Sequence, residues 1–486
     1  MTRRQGRRDR DHVVLEFDTV EPDDAHPPAA APAEESRVAA RAGRRRVRWW
    51  LAGLVVVGVV GAMAAADRWH ERSVEDRLAD SEGGVTSLGP APSVLWTTDG
   101  VGDVAMQRWD ETTLLVGTEV VAIDPGTGEE RWTARLGKEP ACGSPTTVDG
   151  SWTRTLTCVS TVDGDATATV LDDRGRTLGE RTFEDVAGVA AVAGDGVVAE
   201  IRRVDGPGSI TVPRVSVDGA TRGLATVRAV EVTIRDVRAG EALAVTRVDP
   251  TPQDQACPGE TTAAPGVEDD GRVLVLADCG LDAYLSPTGV RLDDPEVPGD
   301  SVVALGDGTS QRRASAGSWG AVVDADGAEV WRPEGEVLRP VASDGASRDV
   351  VLVREPSGVV KAFDGSHREL WSRTVSGATL LVQASGTVVM SGPTSIVALD
   401  LDDGDEVWRL PMRADTFVAG GLTDGEHAIV RTATSNGGPP TNGRLAALRL
   451  ESGSADWTVP IEGDAVLTAV DGAVLLLVDG ALERLG

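Results

Sequence analysis

Residues 118–132 read TEVVAIDPGTGEERW, and the pattern returns at 395–408 as SIVALDLDDGDEVW and at 444–457 as RLAALRLESGSADW. In each copy an apolar run leads into a short turn that contains Gly, and a second short run ends in Trp. Runs of this kind, bounded by turn residues, predict two strands joined as a β-hairpin. Because the hairpin recurs, the chain is predicted to be a repeat protein.

The copies share small, turn and aromatic residues at fixed distances. The first copy reads A-x-D-x-x-T-G-x-x-x-W, and two further candidate repeats end in Trp331 and Trp371. The positions that keep the spacing are Ala122, Asp124, Gly128 and Trp132, then Ala398, Asp400, Gly404 and Trp408, then Ala447, Gly453 and Trp457.

This spacing resembles the tryptophan-docking repeat of the pyrroloquinoline quinone (PQQ)-like β-propeller family. The resemblance implies an all-β ring of four-stranded blades in which each Trp packs against the neighbouring blade. An isolated four-stranded sheet buries too little surface to be stable, and a period of about 40 to 50 residues is typical of propeller blades. We therefore predict a PQQ-like β-propeller over residues 93–486.

The number of blades follows from the candidate last strand of each repeat. Propellers usually have four to eight blades, so we predict eight, with seven or nine as alternatives. The chain opens on a lone Trp strand, Val94 to Trp96, and ends without one, so its two ends are predicted to complete one blade. The nine candidate last strands lie at Trp96, Trp132, Leu178, about Leu224, Leu292, Trp331, Trp371, Trp408 and Trp457.

A membrane anchor is predicted at residues 49–66, WWLAGLVVVGVVGAMAAA, which carry no charge. As a helix this segment would span about 27 Å, close to the thickness of a hydrocarbon core. Five Arg residues precede it between 41 and 48, which places the N-terminus in the cytoplasm and the repeats outside. The alternative is a cleaved signal peptide, but the preceding 48 residues are far longer than such peptides carry.

The remaining segments complete the domain organisation. Residues 1–48 are predicted to be a disordered cytoplasmic tail and residues 67–92 a juxtamembrane linker. The tail holds 11 Arg and 9 Asp or Glu, so of the net charge of −30 the rest of the chain carries −32. A body of that sign repels nucleic acid, which we exclude as a partner. The strong bias toward Arg over Lys indicates a high-GC, actinobacterial genome.

Four cysteines suit an extracytoplasmic domain. Cys142 and Cys158 flank a turn signal at residues 148–151, and Cys257 and Cys279 lie in one long insertion. Two local disulfides are the predicted pairing. A metal site is the alternative, but the chain has no C-x-x-C spacing and no His near these cysteines.

No catalytic constellation emerges from the sequence. His70, His367 and His427 are isolated, and Asp/Gly turns such as residues 400–405 are read as hairpin turns, with calcium loops as the alternative. PQQ dehydrogenases of the resembled family use an adjacent Cys-Cys disulfide, a Trp platform and a calcium held by carboxylate and amide groups. The chain has no Cys-Cys pair, and its two Asn, Asn436 and Asn442, share one loop. We therefore predict no catalytic, cofactor-binding or metal-binding residue.

The functional prediction is a non-enzymatic binding or scaffolding module of the plasma membrane. Its propeller is expected to bind a protein or glycan of the cell envelope through variable loops. The candidate contact loops are residues 250–270 and 434–443. The alternatives are a ligand sensor that signals to the tail and a PQQ-dependent dehydrogenase.

Overall fold

In the computed structural model the described residues lie between 73 and 486. The predicted tail, the predicted span at 49–66 and residues 67–72 fall outside them. Among the described residues no helix has the length and apolar character needed to cross a bilayer. Short segments are also left undescribed, namely 82, 90–91, 99–103, 148–150, 163–164, 205–209, 216–221, 251–256, 259–263, 268–272, 279–280, 296, 298–300, 306–307, 315–317, 347–348, 378, 436 and 439.

Apart from one helix, α1 at residues 73–80, the described chain is built of strands. The strands form successive antiparallel sheets, which we number as blades. Blade 1 is β2 (Ala105–Trp109), β3 (Thr112–Val116), β4 (Val120–Ile123) and β5 (Glu130–Ala134); blade 2 is β6 (Lys138–Cys142), β7 (Leu156–Val162), β8 (Asp165–Leu171) and β9 (Thr177–Phe183); blade 3 is β10 (Gly188–Ala191), β11 (Val197–Arg203), β14 (Val230–Asp236) and β15 (Ala242–Val248).

The next three blades are more irregular. Blade 4 is β17 (Ala264–Val267), β18 (Leu274–Asp278) and β19 (Leu281–Leu285), with a bridge from Leu285 to Arg291 at the fourth strand position; blade 5 is β20 (Ser301–Ala304), β21 (Ser310–Arg313), β22 (Trp319–Val323) and β23 (Glu329–Trp331); blade 6 is β24 (Glu336–Leu338), β26 (Val351–Arg354), β27 (Val359–Phe363) and β28 (Glu369–Thr374).

The last three blades include blade 8, which has the longest strands. Blade 7 is β29 (Thr379–Ala384), β30 (Thr387–Ser391), β31 (Ser395–Asp400) and β32 (Glu406–Pro411), with β25 (Ala342–Ser343) added along β29; blade 8 is β33 (Thr416–Thr423), β34 (His427–Thr434), β35 (Thr441–Arg449) and β36 (Ala455–Ile461); blade 9 is β37 (Val466–Val470), β38 (Ala473–Val478), β39 (Ala481–Leu485) and β1 (Val94–Thr98).

The described chain therefore forms a propeller of nine blades, and the preference for eight was wrong. Each of the nine candidate last strands has a counterpart among the blades, and the preference for eight came only from the usual size range of propellers. In blade 3 the position was also wrong, because Leu224 is not in an outermost strand. It belongs to β13 (Arg222–Val227), which pairs with β12 (Ile210–Val215) in an insertion between β11 and β14. The outermost strand of blade 3 is β15, and its sequence carries no Trp that would have marked it.

The two chain ends complete blade 9. Strand β1 pairs with β39, with Val94 opposite Leu485 and Thr98 opposite Leu482. Leu115 and Ile123 of blade 1 pack in one cluster with apolar residues of blade 9, among them Leu482. The ring is thus closed both by strand pairing and by a hydrophobic layer, which removes the exposed edges of an open array.

Each Trp of the repeat packs on a turn of the next blade. Trp371 covers Gly404 and Trp408 covers Gly453, and their indole N–H groups donate to the carbonyls of Leu401 and Leu450, both at 2.7 Å. A Cβ at either glycine would lie 2.6 Å from the ring. Gly404 also has φ +71°, a conformation that side chains with a Cβ disfavour. The repeated Gly and Trp are therefore two halves of one contact between blades.

The same contact recurs at other boundaries between blades, with one substitution. Trp96 lies against Gly128, and Trp132 lies against Gly175 and donates to the Asp173 carbonyl at 3.0 Å. Trp457 is buried between blades 8 and 9. Trp331 instead stacks on His367, which occupies the turn position with φ +59°.

The repeated Ala and Asp have distinct local roles. Ala122, Ala398 and Ala447 are completely buried or nearly so, at strand positions opposite the Trp of the same blade. Asp124 accepts hydrogen bonds from the backbone N–H groups of Gly126 and Thr127 and from the Arg131 guanidinium. Asp400 likewise accepts from the Asp402 N–H. These carboxylates stabilise the turns that receive the Trp.

One of the two predicted disulfides is confirmed. Cys142 and Cys158 lie opposite each other in the β6–β7 hairpin and are joined by an S–S bond of 2.00 Å. Cys257 lies in β16 (Cys257–Pro258), whereas Cys279 is outside the described residues, so the second pairing stays a prediction.

Candidate binding face

The antiparallel blades give the propeller two faces. Turns that join the first strand of a blade to its second, and the third to its fourth, lie on one face, which we name the turn face. Connections between the second and third strands, and those that lead to the next blade, lie on the other, which we name the loop face. This follows because successive antiparallel strands reverse direction.

The turn face is partly covered by the chain's own N-terminal segment, residues 73–88, which we name the strap. Leu78 of α1 and Val85 are buried, and Val85 belongs to the core between blades 8 and 9. The Arg77 guanidinium donates to the Asp344 carbonyl at 2.9 Å. These residues of the predicted 67–92 linker therefore pack against the propeller, while residues 67–72 lie outside the described part of the chain.

Backbone hydrogen bonds fasten the strap to the turns of blades 8 and 9. Val85 N–H donates to the Thr423 carbonyl and Thr86 N–H to the Gly472 carbonyl, both at 2.8 Å, while Thr423 N–H donates to Gly83. A Cβ at Gly83 would lie within 3 Å of Ala342 and Val341. The glycines that suggest a flexible linker are thus required for close approach of two backbones.

The loop face carries the largest insertions of the described chain. Strands β12 and β13 lie in the connection at 204–229 within blade 3, and β16 lies in the connection from blade 3 to blade 4. Strand β12 pairs antiparallel with β13 and parallel with β16. Two separate connections thus build one small sheet on this face. The contact loop predicted at 250–270 includes β16, whereas residues 204–229 were not predicted as an insertion, because Leu224 was assigned to an outermost strand.

The second predicted contact loop, residues 434–443, lies on the same face. It joins β34 to β35, and its backbone is tied to the preceding connection because Ser435 N–H donates to the Asp415 carbonyl at 2.9 Å. Asn442 has φ +51°, and its side-chain amide donates to the Thr434 hydroxyl at 3.3 Å. The structure therefore places this loop and β16, the described strand of the connection from blade 3 to blade 4, on one side of the ring, whereas residues 264–267 of the other predicted loop form β17 of blade 4.

Buried polar side chains of two blades form hydrogen bonds to connections of the loop face. Arg431 is 6% exposed, and its guanidinium donates to the Gly463 carbonyl at 2.6 Å. Burial lowers the pKa of Arg431 from its ordinary value, against a smaller opposite effect of Asp464. Gln311 has the corresponding role in blade 5, where its amide donates to the Gly335 carbonyl at 2.7 Å. Both residues fix the connection that leads to the next blade.

The loop face of blade 6 carries a charged cluster around Lys361. Its ammonium lies 2.5 Å from Glu355 and 3.4 Å from Glu334. The hydrogen bond to Glu355 raises the pKa of Lys361, although burial acts in the opposite direction. One of the two lysines of the chain is thus committed to an internal ion-pair cluster.

The turn face of blade 8 holds a histidine between two carboxylates. His427 Nδ1 lies 2.9 Å from Asp424, and Nε2 lies 2.9 Å from Asp456. Burial acts to lower the pKa of His427, but the bonds to Asp456 and Asp424 outweigh it and raise that pKa. Asp456 also receives the Arg449 guanidinium. Asp424 precedes His427 by only three residues, whereas Asp456 becomes its neighbour only in the folded blade.

The described part of the chain also contains candidate metal ligands and three Trp residues outside the repeat. There, no group of three or more His, Cys, Asp and Glu side chains is arranged to hold a metal ion. Trp109 donates to the Thr153 carbonyl, Trp152 lies beneath the Arg108 guanidinium and Trp319 beneath Arg313. The three Trp left over from the repeats thus have separate structural partners.

Part of the chain matches a known family model, and several solved structures are similar to the chain. Residues 316–479 match the family model described as outer membrane protein assembly factor BamB. No curated protein matches the chain. BamB from Moraxella catarrhalis is similar at 12% identity and a TM-score of 0.40, over 81% of this chain and 99% of that one.

Two similar structures are enzymes. The quinohemoprotein alcohol dehydrogenase ADHIIG from Pseudomonas putida HK5 has 13% identity and a TM-score of 0.35, over 79% of this chain and 71% of that one. The dihydro-heme d1 dehydrogenase NirN has 13% identity and a TM-score of 0.32, over 77% of this chain and 76% of that one.

Proposed function

We propose that the protein is a non-enzymatic binding or scaffolding module that holds a protein or glycan of the cell envelope on the loop face of its propeller. The observation that supports this proposal is the asymmetry between the two faces. The strap covers turns of blades 8 and 9, whereas the inserted sheet and the 434–443 loop extend the opposite face. Loops held on a rigid scaffold are where binding residues concentrate.

The match to a family described as an assembly factor supports the same class of function. Anchoring through residues 49–66, an extracytoplasmic propeller and an actinobacterial origin belong to this proposal as predictions from the sequence. A ligand sensor that acts through the tail is the second candidate. We expect no dehydrogenase activity, because the residues by which PQQ enzymes hold quinone and calcium have no counterparts in the sequence.

The test is crosslinking of the full-length protein in intact cells, followed by its capture and identification of the crosslinked molecules. Arg203 lies opposite Val230 across the base of the insertion, so a two-residue Asn-Gly turn can replace residues 204–229. We expect this variant to lose a partner that the wild type retains. An Asp402→Lys variant on the turn face is the control, because Asp402 is exposed there, and it should retain that partner.

Two results would contradict the proposal: equal loss in both variants, or unchanged capture in both. The enzymatic alternative is checked separately by adding PQQ and calcium to the purified protein. We expect neither saturable quinone absorbance nor dye-linked oxidation of alcohols or sugars. Stoichiometric quinone binding together with oxidation of a substrate would identify the protein as a dehydrogenase.

A further inference from the structure

The outermost strand of a blade has one edge without a strand partner among the described residues, and in blades 5 and 7 this edge carries charge. Blades 5 and 7 carry Glu-Val-Trp-Arg in this strand. The Arg332 guanidinium pairs with Glu329 at 2.5 Å, and Arg409 pairs with Glu406 at 2.6 Å. Charged side chains of this kind are a known protection against unwanted pairing of edge strands.

Strand β15 of blade 3 has exposed apolar residues at its centre, with Glu241 just before the strand and Arg247 near its end. Leu243 and Val245 are each 56% exposed, more than any other large apolar residue described. Ala244 occupies the position of the repeat Trp, since it lies against Gly289 of the next blade. The residue after this position is polar in the other blades whose fourth strand is described, namely Thr97, Thr133, Glu180, Arg332, Ser372, Arg409 and Thr458.

The sequence of this edge is complementary to itself. When two antiparallel copies pair about Ala244, Leu243 of each copy lies opposite Val245 of the other. The same register places Glu241 opposite Arg247, twice in the pair. All four residues are exposed, and Arg247 forms an exposed ion pair with Asp249 in the single copy. Two apolar side chains that face each other across a strand pair stabilise it, and so do two facing side chains of opposite charge.

We propose that the outer edge of blade 3 is a homotypic docking surface that binds β15 of a second copy of this chain. The contact is isologous, because each copy presents the same residues to the other. A single strand pair buries less than the roughly 1,200 Å² of a stable interface. The association is therefore weak in dilute solution and depends on a high local concentration.

The test uses two differently tagged copies of the full-length protein, coexpressed and crosslinked in cells before capture through one tag. Val245→Lys in both copies should reduce recovery of the second tag about tenfold. Val407→Lys is the matched control, because Val407 is a 40% exposed residue on the charged edge of blade 7. That control should leave recovery unchanged.

Charge exchange tests the register. Glu241→Arg in both copies, or Arg247→Glu in both, should reduce recovery about tenfold because like charges then face each other. Pairing an E241R copy with an R247E copy restores both attractive pairs, so recovery should return to the wild-type level. Failure of this mixture to recover, equal loss in V407K, or capture of a different protein in place of the second copy would overturn the proposal.

Discussion

At the boundary between blades 7 and 8, and again between blades 2 and 3, a long side chain covers a glycine turn of the next blade. The side chain differs between the two boundaries. Between blades 7 and 8, Trp408 covers Gly453 and donates a hydrogen bond to the turn. Between blades 2 and 3, Arg181 approaches Gly240, and its guanidinium donates to the Val237 carbonyl at 3.1 Å. In both cases a long side chain covers a glycine turn and satisfies a carbonyl.

The difference shows which part of the repeat is required. A turn residue with positive φ and a side chain that donates to the turn occur at both boundaries, whereas the aromatic ring does not. At the boundary between blades 3 and 4, none of the described residues covers the turn with a long side chain. Ala244 occupies the position of the repeat Trp, and the Thr246 hydroxyl donates to the Gly289 carbonyl at 2.5 Å. The 204–229 insertion and the apolar β15 edge also occur in blade 3, which has no Trp in its outermost strand.

Removal of the aromatic wedge should have the largest effect. Trp408→Ala removes a ring that is 7% exposed and leaves a cavity beside Gly453, so we expect a loss of about 3 to 5 kcal/mol in the free energy of unfolding. Denaturant melts measure it. A loss below about 1 kcal/mol would mean that the ring is not a structural wedge.

Filling the glycine side of the contact should cost somewhat less. Gly453→Ala places a Cβ 2.6 Å from the Trp408 ring at φ +69°, so we expect about 2 to 4 kcal/mol from the clash and the backbone strain together. Gly386→Ala is the matched control, since it has φ +71° and open space around the Cβ. The control should show only the strain, about 1 to 2 kcal/mol. Equal losses in the two variants would refute the clash.

The substitute wedge should contribute less than the Trp. Arg181→Ala is expected to cost about 1 kcal/mol, because it removes one hydrogen bond and a partly buried aliphatic stem. Arg181→Met keeps most of the stem and loses only the bond, so it should lie between the wild type and the Ala variant. A cost for Arg181→Ala that equals that of Trp408→Ala would show that the two boundaries are equivalent after all.

The smallest effect is a pH dependence at His427. Its pKa is raised in the folded protein, so this residue stabilises the fold fully below about pH 6.5. The stabilisation is lost as pH rises through the higher folded pKa, because the neutral ring cannot donate to both Asp424 and Asp456. The difference in unfolding free energy between wild type and His427→Gln should therefore shrink from pH 6 to pH 9. A difference that grows with pH would contradict the raised pKa.

The repeat could be read from the sequence because its residues are local. Ala398, Gly404 and Trp408 belong to one hairpin, and their spacing follows from the strand–turn–strand geometry. The Cys142–Cys158 bond was predictable for the same reason, since one hairpin places both residues opposite each other. The closing blade could be predicted because the array begins with a lone Trp strand and ends with strands that lack one.

Contacts between distant segments could not be read in this way. The outermost strand of blade 3 was misplaced at Leu224, and only the pairing of β11 with β14 shows that Leu224 lies in an insertion. The docking of the strap depends on carbonyls of Thr423 and Gly472, hundreds of residues away in sequence. Backbone hydrogen bonds leave little trace in residue type, because every residue carries the same carbonyl. The sequence alone determined the ring of repeats, whereas the tertiary structure decided which face the chain covers and which it extends.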